Sequence, residues 1–149
     1  MNASAVVQEF VSCLREAEDH RDVSRLAKLF TKDAELHVMT RPNKGKPRPT
    51  GVLAFWNQYI HAFEHVSSHV TNVIEKEGTA ILEWHATGKL AMGLPVEYCG
   101  VGLLEHKDGK IHSFRTYFDS AALLPHATHA MKPFSESVGK PDIITDASS

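Results

Sequence analysis

The sequence is poor in the features that mark secreted, membrane-spanning and nucleic-acid-binding chains. Only two of its 149 residues are cysteine, Cys13 and Cys99, and we expect buried free thiols rather than a disulfide. No apolar run approaches the length of about 18 residues that spans a membrane. The N-terminus lacks the basic and apolar regions of a signal peptide. A net charge of -2 supplies no phosphate-binding patch. We therefore expect a cytoplasmic protein without a nucleic-acid or membrane partner.

Length and composition indicate one folded domain with a short tail. The hydrophobic content of 42% and the charged content of 23% are ordinary for a globular protein. A chain of 149 residues is long enough for a single hydrophobic core. From Pro125 onward the apolar pattern fades and proline and serine become frequent. We predict a domain over residues 1–125 and a tail over residues 126–149 that is either flexible or a lid on a pocket.

The hydrophobic periodicity predicts helices first and then a run of strands. Apolar residues recur at helical spacing over residues 5–16, 23–30 and 52–66. Alternation or β-rich composition predicts five strands, over residues 33–40, 69–76, 79–90, 96–106 and 110–118. This order predicts an α+β fold in which three helices pack on a strongly curved, mostly antiparallel sheet. Such a cone-shaped barrel leaves a pocket at its open end.

The predicted strand over residues 79–90, TAILEWHATGKL, is central to the functional interpretation. Its period of two places Glu83 and His85 on one face and Leu82 and Trp84 on the other. The polar pair could face solvent, as most polar residues do, or could form the floor of a pocket. If Leu82 and Trp84 instead faced away from the pocket, they would form an exposed apolar patch, which is a signal of a dimer interface.

The order of elements and the ending HKDGKIHSFRTYFD together resemble the SnoaL-like branch of the nuclear transport factor 2-like superfamily. The resemblance extends over residues 6–124. It implies the α+β barrel described above, a ligand pocket and a homodimer. It implies less about chemistry, because this scaffold carries many activities. The acidic positions of the ketosteroid isomerases fall on Val38 and near Gly102, so steroid isomerisation is not implied.

Three separated positions resemble the active sites of the scytalone dehydratases. The two catalytic histidines of that family correspond to His69, in SSHVTN, and His85, in LEWHAT. Its orienting aspartate corresponds to Asp19, in AEDHRDVSRL. The position of its pocket tyrosine on the first strand holds Val38, and its polar pair becomes Tyr98 and Gly100. The match is therefore partial.

This set of residues suits proton-transfer chemistry. Imidazole can serve as acid or base near neutral pH, because its unperturbed pKa is about 6.5. We predict His85 as the base, with Asp19 or Glu83 as its carboxylate partner. His69 would act as the acid or bind a carbonyl, and Tyr98 could donate to an oxyanion. The predicted substrate-binding residues are Val38, Trp56, Tyr59, Phe114, Thr116 and Phe118.

A metal site is a weaker interpretation of the ten histidines. His61 and His65 have the i,i+4 spacing of helical ligands, but HAFEH is not the HExxH motif of zinc hydrolases. We therefore predict no metal and no cofactor. The resulting hypothesis is a dehydratase, cyclase or isomerase that acts on an apolar oxygenated small molecule such as a polyketide or terpenoid. An epoxide-opening cyclase or hydrolase and a non-catalytic binding or dimerisation module are the alternatives.

Overall fold

The structure is a computed structural model and describes residues 3–39 and 51–123. The predicted tail, residues 126–149, lies outside these ranges. The helices are α1 (Ala5–His20), α2 (Ser24–Ala27) and α3 (Val52–His61), followed at the end of the described chain by a 3₁₀ turn (Ser120–Leu123). The strands are β1 (Phe30–Val38), β2 (Phe63–Lys76), β3 (Thr79–Leu90), β4 (Pro95–Lys107) and β5 (Lys110–Phe118). The predicted sequence of helices and strands is confirmed.

The five strands form one curved sheet in the order β1-β5-β4-β3-β2. Strand β1 runs parallel to β5, and the other neighbours are antiparallel, as hairpin connections require. Within the described ranges, β1 and β2 are the edges, so the sheet is unclosed. The predicted α+β class, with helices on a curved and mostly antiparallel sheet, is confirmed.

The helices cover one face of this sheet and create the core between the two layers. Phe10 of α1 is 2% exposed, and its ring centroid lies 5.9 Å from that of Trp56 and 5.5 Å from that of Phe114. Aromatic pairs at such distances add about 0.5–1.5 kcal/mol each beyond their buried area. Strand β3 contributes Ala80, Leu82 and Ala86 to the buried side. We call this covered side of the sheet the inner face and the opposite side the outer face.

The predicted third helix is too long, because a bulge in β2 imitates helical spacing. Helix α3 ends at His61, and β2 begins at Phe63, six residues before the predicted start. Phe63 and Val66 are both buried although they lie three residues apart, a spacing typical of helices. The register of β2 against β3 shifts between Phe63 and His65, and this extra residue brings both side chains to the inner face.

Two smaller predictions also differ from the structure. The second helix is a single turn, Ser24–Ala27, because Phe30 already pairs with Ile111 in the parallel ladder between β1 and β5. Cys13 is buried as predicted, but Cys99 is exposed, and both thiols are free.

In the described ranges, no helix combines the length and the apolar character that crossing a bilayer requires.

Glu75 joins the start of α1 to the sheet. Its Oε1 accepts a hydrogen bond of 2.8 Å from the Ser4 amide, and its Oε2 lies 2.7 Å from Nε2 of His106. The Glu75 and His106 side chains are each 14% exposed. Burial alone would raise the pKa of Glu75, but the hydrogen bonds from Ser4 and His106 outweigh burial and lower it. The ionised carboxylate therefore holds α1, β2 and β4 together.

The substitution Glu75→Ala should destabilise the fold by about 1–3 kcal/mol at neutral pH, since it leaves the Ser4 amide and the His106 ring without their partner. The lowered pKa stabilises the fold above the unfolded-state pKa of about 4.3, and this contribution disappears as the pH falls through the folded-state pKa. Urea unfolding at neutral and acidic pH should therefore show a difference between parent and variant that shrinks in acid.

The exposed Glu64, on the same strand, provides the matched control. Glu64→Ala should change the free energy of unfolding by less than about 0.5 kcal/mol. An equal loss in both variants, or a Glu75→Ala effect that is the same at both pH values, would contradict the role of Glu75.

Candidate functional site

A cavity of about 180 Å³ lies between the helices and the inner face of the sheet. An apolar cavity of about 150 Å³ is large enough to hold benzene, so this one can hold a small cyclic molecule. Of the twenty described residues that line it, nine are aromatic, namely Phe10, Phe55, Trp56, Tyr59, Phe63, Trp84, Tyr98, Phe114 and Phe118. Among the described lining residues none carries a charge. The wall therefore meets a ligand mainly with aromatic and aliphatic surface.

A buried carboxylate stands behind one part of this wall. Glu18, in the last turns of α1, is only 6% exposed. Its Oε2 accepts hydrogen bonds of 2.7 Å from the Tyr59 hydroxyl and 2.7 Å from Oγ of Ser68, and its Oε1 accepts one of 2.8 Å from the Ser68 amide. Tyr59 lies on α3 and Ser68 on β2, and both line the cavity. We call Glu18, Tyr59 and Ser68 the carboxylate cluster.

The cluster determines what the cavity can offer a ligand at this point. A hydroxyl group has one hydrogen to donate. Tyr59 and Ser68 each donate that hydrogen to Glu18, so toward a ligand their oxygens can only accept. A ligand group that meets Ser68 or Tyr59 must therefore be a hydrogen-bond donor.

Tyr98 of β4 supplies a different kind of group. It is 7% exposed, and among the described residues its hydroxyl has no hydrogen-bond partner. Burial, followed by the negative charge of Glu18, raises the pKa of Tyr98 well above the ordinary tyrosine value. The same two causes, in the same order, raise the pKa of Tyr59. Both hydroxyls therefore remain protonated in the physiological range, and that of Tyr98 is free to donate.

Further polar residues belong to the wall, namely Trp56, Gln58 and Thr116. The indole Nε1 of Trp56 is buried and has no partner within the described part of the chain. Thr116 of β5 is buried and lines the cavity. An indole N–H can only donate, whereas a threonine hydroxyl can donate or accept. Together with Tyr98 they give the cavity donors at positions other than the carboxylate cluster.

All six residues predicted to bind substrate line this cavity, as does one predicted catalytic residue. The six are Val38, Trp56, Tyr59, Phe114, Thr116 and Phe118, and the seventh is Tyr98. The structure thus brings them together around one space. Their roles in binding and catalysis stay predictions.

The expectation that Glu83 and His85 form the floor of a pocket is wrong, and His69, predicted to act on the same ligand, does not line the cavity either. Leu82 and Trp84 of β3 line the cavity, so the alternating residues Glu83 and His85 lie on the outer face. His69 is the direct cross-strand neighbour of His85 and lies on that face too. The His85 side chain is 42% exposed, and its Nε2 lies 2.8 Å from Oε2 of Glu97. The histidine pair is therefore separated from the cavity by the sheet itself.

Asp19, one of the two carboxylates predicted to assist His85, does not face the interior, but its neighbour Glu18 does. Asp19 is exposed, whereas the preceding Glu18 points into the protein. A signal for Glu18 exists in the sequence, because it continues the helical spacing of the apolar residues Phe10 and Leu14 by another four positions. A carboxylate on an apolar helix stripe indicates a buried polar cluster. Ser68 gives no comparable signal, because the helical spacing of Phe63 and Val66 places it just beyond the end of the predicted third helix.

The apolar patch on the outer face is not the one anticipated. Leu82 and Trp84 face the cavity, and the exposed apolar side chains of the outer face are Ile74, Ile81 and Tyr117. The homodimer remains a prediction.

His61, one of the two histidines weighed as metal ligands, contacts the Asn57 carbonyl through Nδ1 at 2.8 Å. Within the described ranges, no group of three or more metal-ligating side chains is present.

The sequence profile described as the SnoaL-like domain matches residues 7–114. No curated protein matches the chain in sequence. Many solved structures are similar to it. They include an NTF2-like protein from Anabaena variabilis, with a TM-score of 0.67, 18% identity, and coverage of 82% of this chain and 96% of that one.

Two other similar structures carry provisional names for enzymes. One is a protein from Bacillus subtilis provisionally named an isomerase, with a TM-score of 0.67 and 21% identity, covering 83% of this chain and 96% of that one. Another is AclR from Streptomyces galilaeus, provisionally named a hydroxylase, with a TM-score of 0.64 and 18% identity, covering 84% and 94%. At these identities the likeness establishes the fold alone.

The adjacent carboxylates Glu18 and Asp19 allow a direct test of which one stabilises the fold. Glu18→Ala should lower the free energy of unfolding by about 1–3 kcal/mol, because it leaves the partly buried Ser68 amide and two hydroxyls without their acceptor. Asp19→Ala should change it by less than about 0.5 kcal/mol, as expected for an exposed site. Urea unfolding of both variants measures the difference. A larger loss of unfolding free energy in Asp19→Ala than in Glu18→Ala would show that Asp19, and not Glu18, is the stabilising carboxylate.

Proposed function

The chain belongs to the SnoaL-like domain family, and from that premise we propose that it is an enzyme that moves protons on an apolar, oxygenated small molecule. The observation that carries the proposal is the pair of cavity hydroxyls, Tyr59 and Ser68, each 2.7 Å from the buried Glu18 carboxylate. A buried carboxylate that reaches a ligand pocket through a hydroxyl is equipped to act as a base. The aromatic wall suits the carbon skeleton of the substrate.

In the proposed mechanism, Ser68 and Glu18 act together as the base. Oγ of Ser68 accepts a proton from the carbon next to a substrate carbonyl, while the hydrogen of Ser68 passes to Oε2 of Glu18. The electron pair released from the C–H bond moves onto the carbonyl oxygen. The base therefore ends as a neutral carboxylic acid, and the substrate becomes an enolate.

Tyr98 is proposed to stabilise that enolate. Its raised pKa keeps the hydroxyl protonated, so it acts as a hydrogen-bond donor to the oxyanion rather than as a proton donor. The protonated Glu18 then returns its proton through Ser68. Delivery to another carbon completes an isomerisation. In a dehydration, the enolate electron pair forms a C=C bond, the C–O bond to the β-hydroxyl breaks, and the proton goes to the departing oxygen to give water. Each step moves only protons and electron pairs within the substrate, so the proposal involves no cofactor.

The proposal predicts that Ser68→Ala and Tyr98→Phe each lower the rate about a hundredfold or more, since each removes a group that acts on the reacting atoms. Cyclic β-hydroxy ketones and β,γ-unsaturated ketones are suitable probes. Deuterium uptake from D₂O, followed by mass spectrometry, reports proton abstraction even when product does not accumulate. Circular dichroism checks that both variants fold.

The variants His69→Ala and His85→Ala test the competing assignment. On the outer face they should leave deuterium uptake unchanged within about twofold, because neither ring reaches the cavity. If the histidine variants lose the activity while Ser68→Ala and Tyr98→Phe retain it, the proposed site is wrong.

A non-catalytic binding module is the second candidate. It is favoured by one observation, that the described lining residues include no charged side chain, so Glu18 can act on a ligand only through its neighbours. A parent protein that binds the probe ketones but takes up no deuterium would favour this candidate over the enzyme.

A further inference from the structure

The carboxylate cluster contains a negative charge without a positive partner. Among the described residues, the hydrogen bonds that Glu18 receives come from a tyrosine hydroxyl, a serine hydroxyl and a backbone amide, all of which are neutral. All three groups donate to it, which is the arrangement that an ionised carboxylate needs. In residues 3–39 and 51–123, no arginine, lysine or histidine forms an ion pair with it. Buried charges in proteins are ordinarily paired with a charge of opposite sign. The charge of Glu18 is not paired in this way, so it can attract a cation that enters the cavity.

The field of this charge extends through the cavity. Tyr98 lies on β4, whereas Tyr59 and Ser68 lie on α3 and β2, so the cavity is bounded by the cluster and by Tyr98 from different elements. The negative charge of Glu18 is one cause of the raised pKa of Tyr59, its hydrogen-bond partner, and of Tyr98, which donates no hydrogen bond to it. A ligand in the cavity lies within the same low-dielectric space and is exposed to the same negative potential.

The wall reinforces this preference for positive charge. The face of an aromatic ring carries partial negative charge and attracts a cation within about 6 Å of its centre. The rings of Trp56, Tyr59, Trp84 and Tyr98 line the cavity, and tryptophan is the strongest cation-binding ring. In addition, the oxygens of Tyr59 and Ser68 present only lone pairs, which match an N–H donor.

We propose that the cavity selects small organic cations, and protonated amines above all, over neutral molecules of the same shape. The proposal rests on the proposed function for the location of the site and adds a substrate class, an oxygenated molecule that also carries an amine. The volume of about 180 Å³ limits that molecule to a size comparable with a substituted ring or a short branched amino alcohol.

Three probes of similar shape separate charge from size. Choline carries a permanent positive charge without an N–H group, dimethylaminoethanol is protonated at neutral pH and has one, and the carbon isostere of choline is neutral. We expect choline to bind the parent protein at least about tenfold more tightly than its carbon isostere, and dimethylaminoethanol to bind at least as tightly as choline. Isothermal titration calorimetry measures all three affinities, and the fluorescence of Trp56 and Trp84, both in the cavity wall, provides an independent signal.

The charge of Glu18 is tested by Glu18→Gln, which keeps the shape of the side chain. The preference of the cavity for choline over its isostere should fall to within about threefold in this variant. The exposed Glu64 provides the control, since Glu64→Gln removes the same charge from the surface and should leave the preference unchanged. Trp84→Leu, which retains an apolar wall without the ring, should weaken choline binding more than isostere binding. It keeps the test decisive if Glu18→Gln fails to fold.

Equal binding of choline and its carbon isostere by the parent protein would overturn the proposal, as would no binding of any probe or an unchanged preference in Glu18→Gln. These results are distinct from those that test the enzyme. Equal binding of choline and its carbon isostere by the parent protein, together with deuterium uptake that depends on Ser68 and Tyr98, would refute only the substrate class. A clear charge preference without deuterium uptake by the parent would refute only the catalytic proposal.

Discussion

A carboxylate buried at the meeting point of a helix and a sheet must be surrounded by donors, and the position of Glu18 imposes this requirement on the fold. Its partners come from α3 and β2, so one side chain of α1 fixes the relative placement of three elements. The donors that satisfy it are also part of the cavity wall. The requirement that stabilises the interior therefore also determines the polarity of the space in which a ligand would bind.

The sheet separates two surfaces of opposite character. The inner face carries Leu82 and Trp84 and completes an aromatic cavity, whereas the outer face carries the histidine pair and the exposed Ile81. The chemistry that is conspicuous in the sequence, a pair of histidines with a nearby carboxylate, thus lies on the outer face. The groups placed to act on a ligand in the cavity include hydroxyls, an indole N–H and a carboxylate one layer behind them. They are less conspicuous because serine, tyrosine and threonine are common on any strand.

Much of the fold could be predicted because its signals are local. Periods of two and 3.6 residues identified the elements and the α+β class, and the cavity-lining aromatics were found because large apolar side chains must be buried. The errors have equally physical causes. A bulge in β2 gave Phe63 and Val66 a helical spacing, which also concealed Ser68. On α1, adjacent residues differ by a rotation of about 100° around the helix axis, and this rotation decides whether Glu18 or Asp19 faces the interior. A match of short motifs does not resolve that difference.

By itself the sequence determined which residues share a face, since the pleat of a strand is a local property of the backbone. The alternation places Glu83 with His85 and Leu82 with Trp84 independently of how the strand packs. Only the tertiary structure decided which of these two faces is covered by the helices, because an isolated strand has no inside. That decision depends on the direction in which the whole sheet curves and on where α1 and α3 pack against it. Both depend on contacts between residues distant in the chain, such as Tyr59 and Ser68 with Glu18.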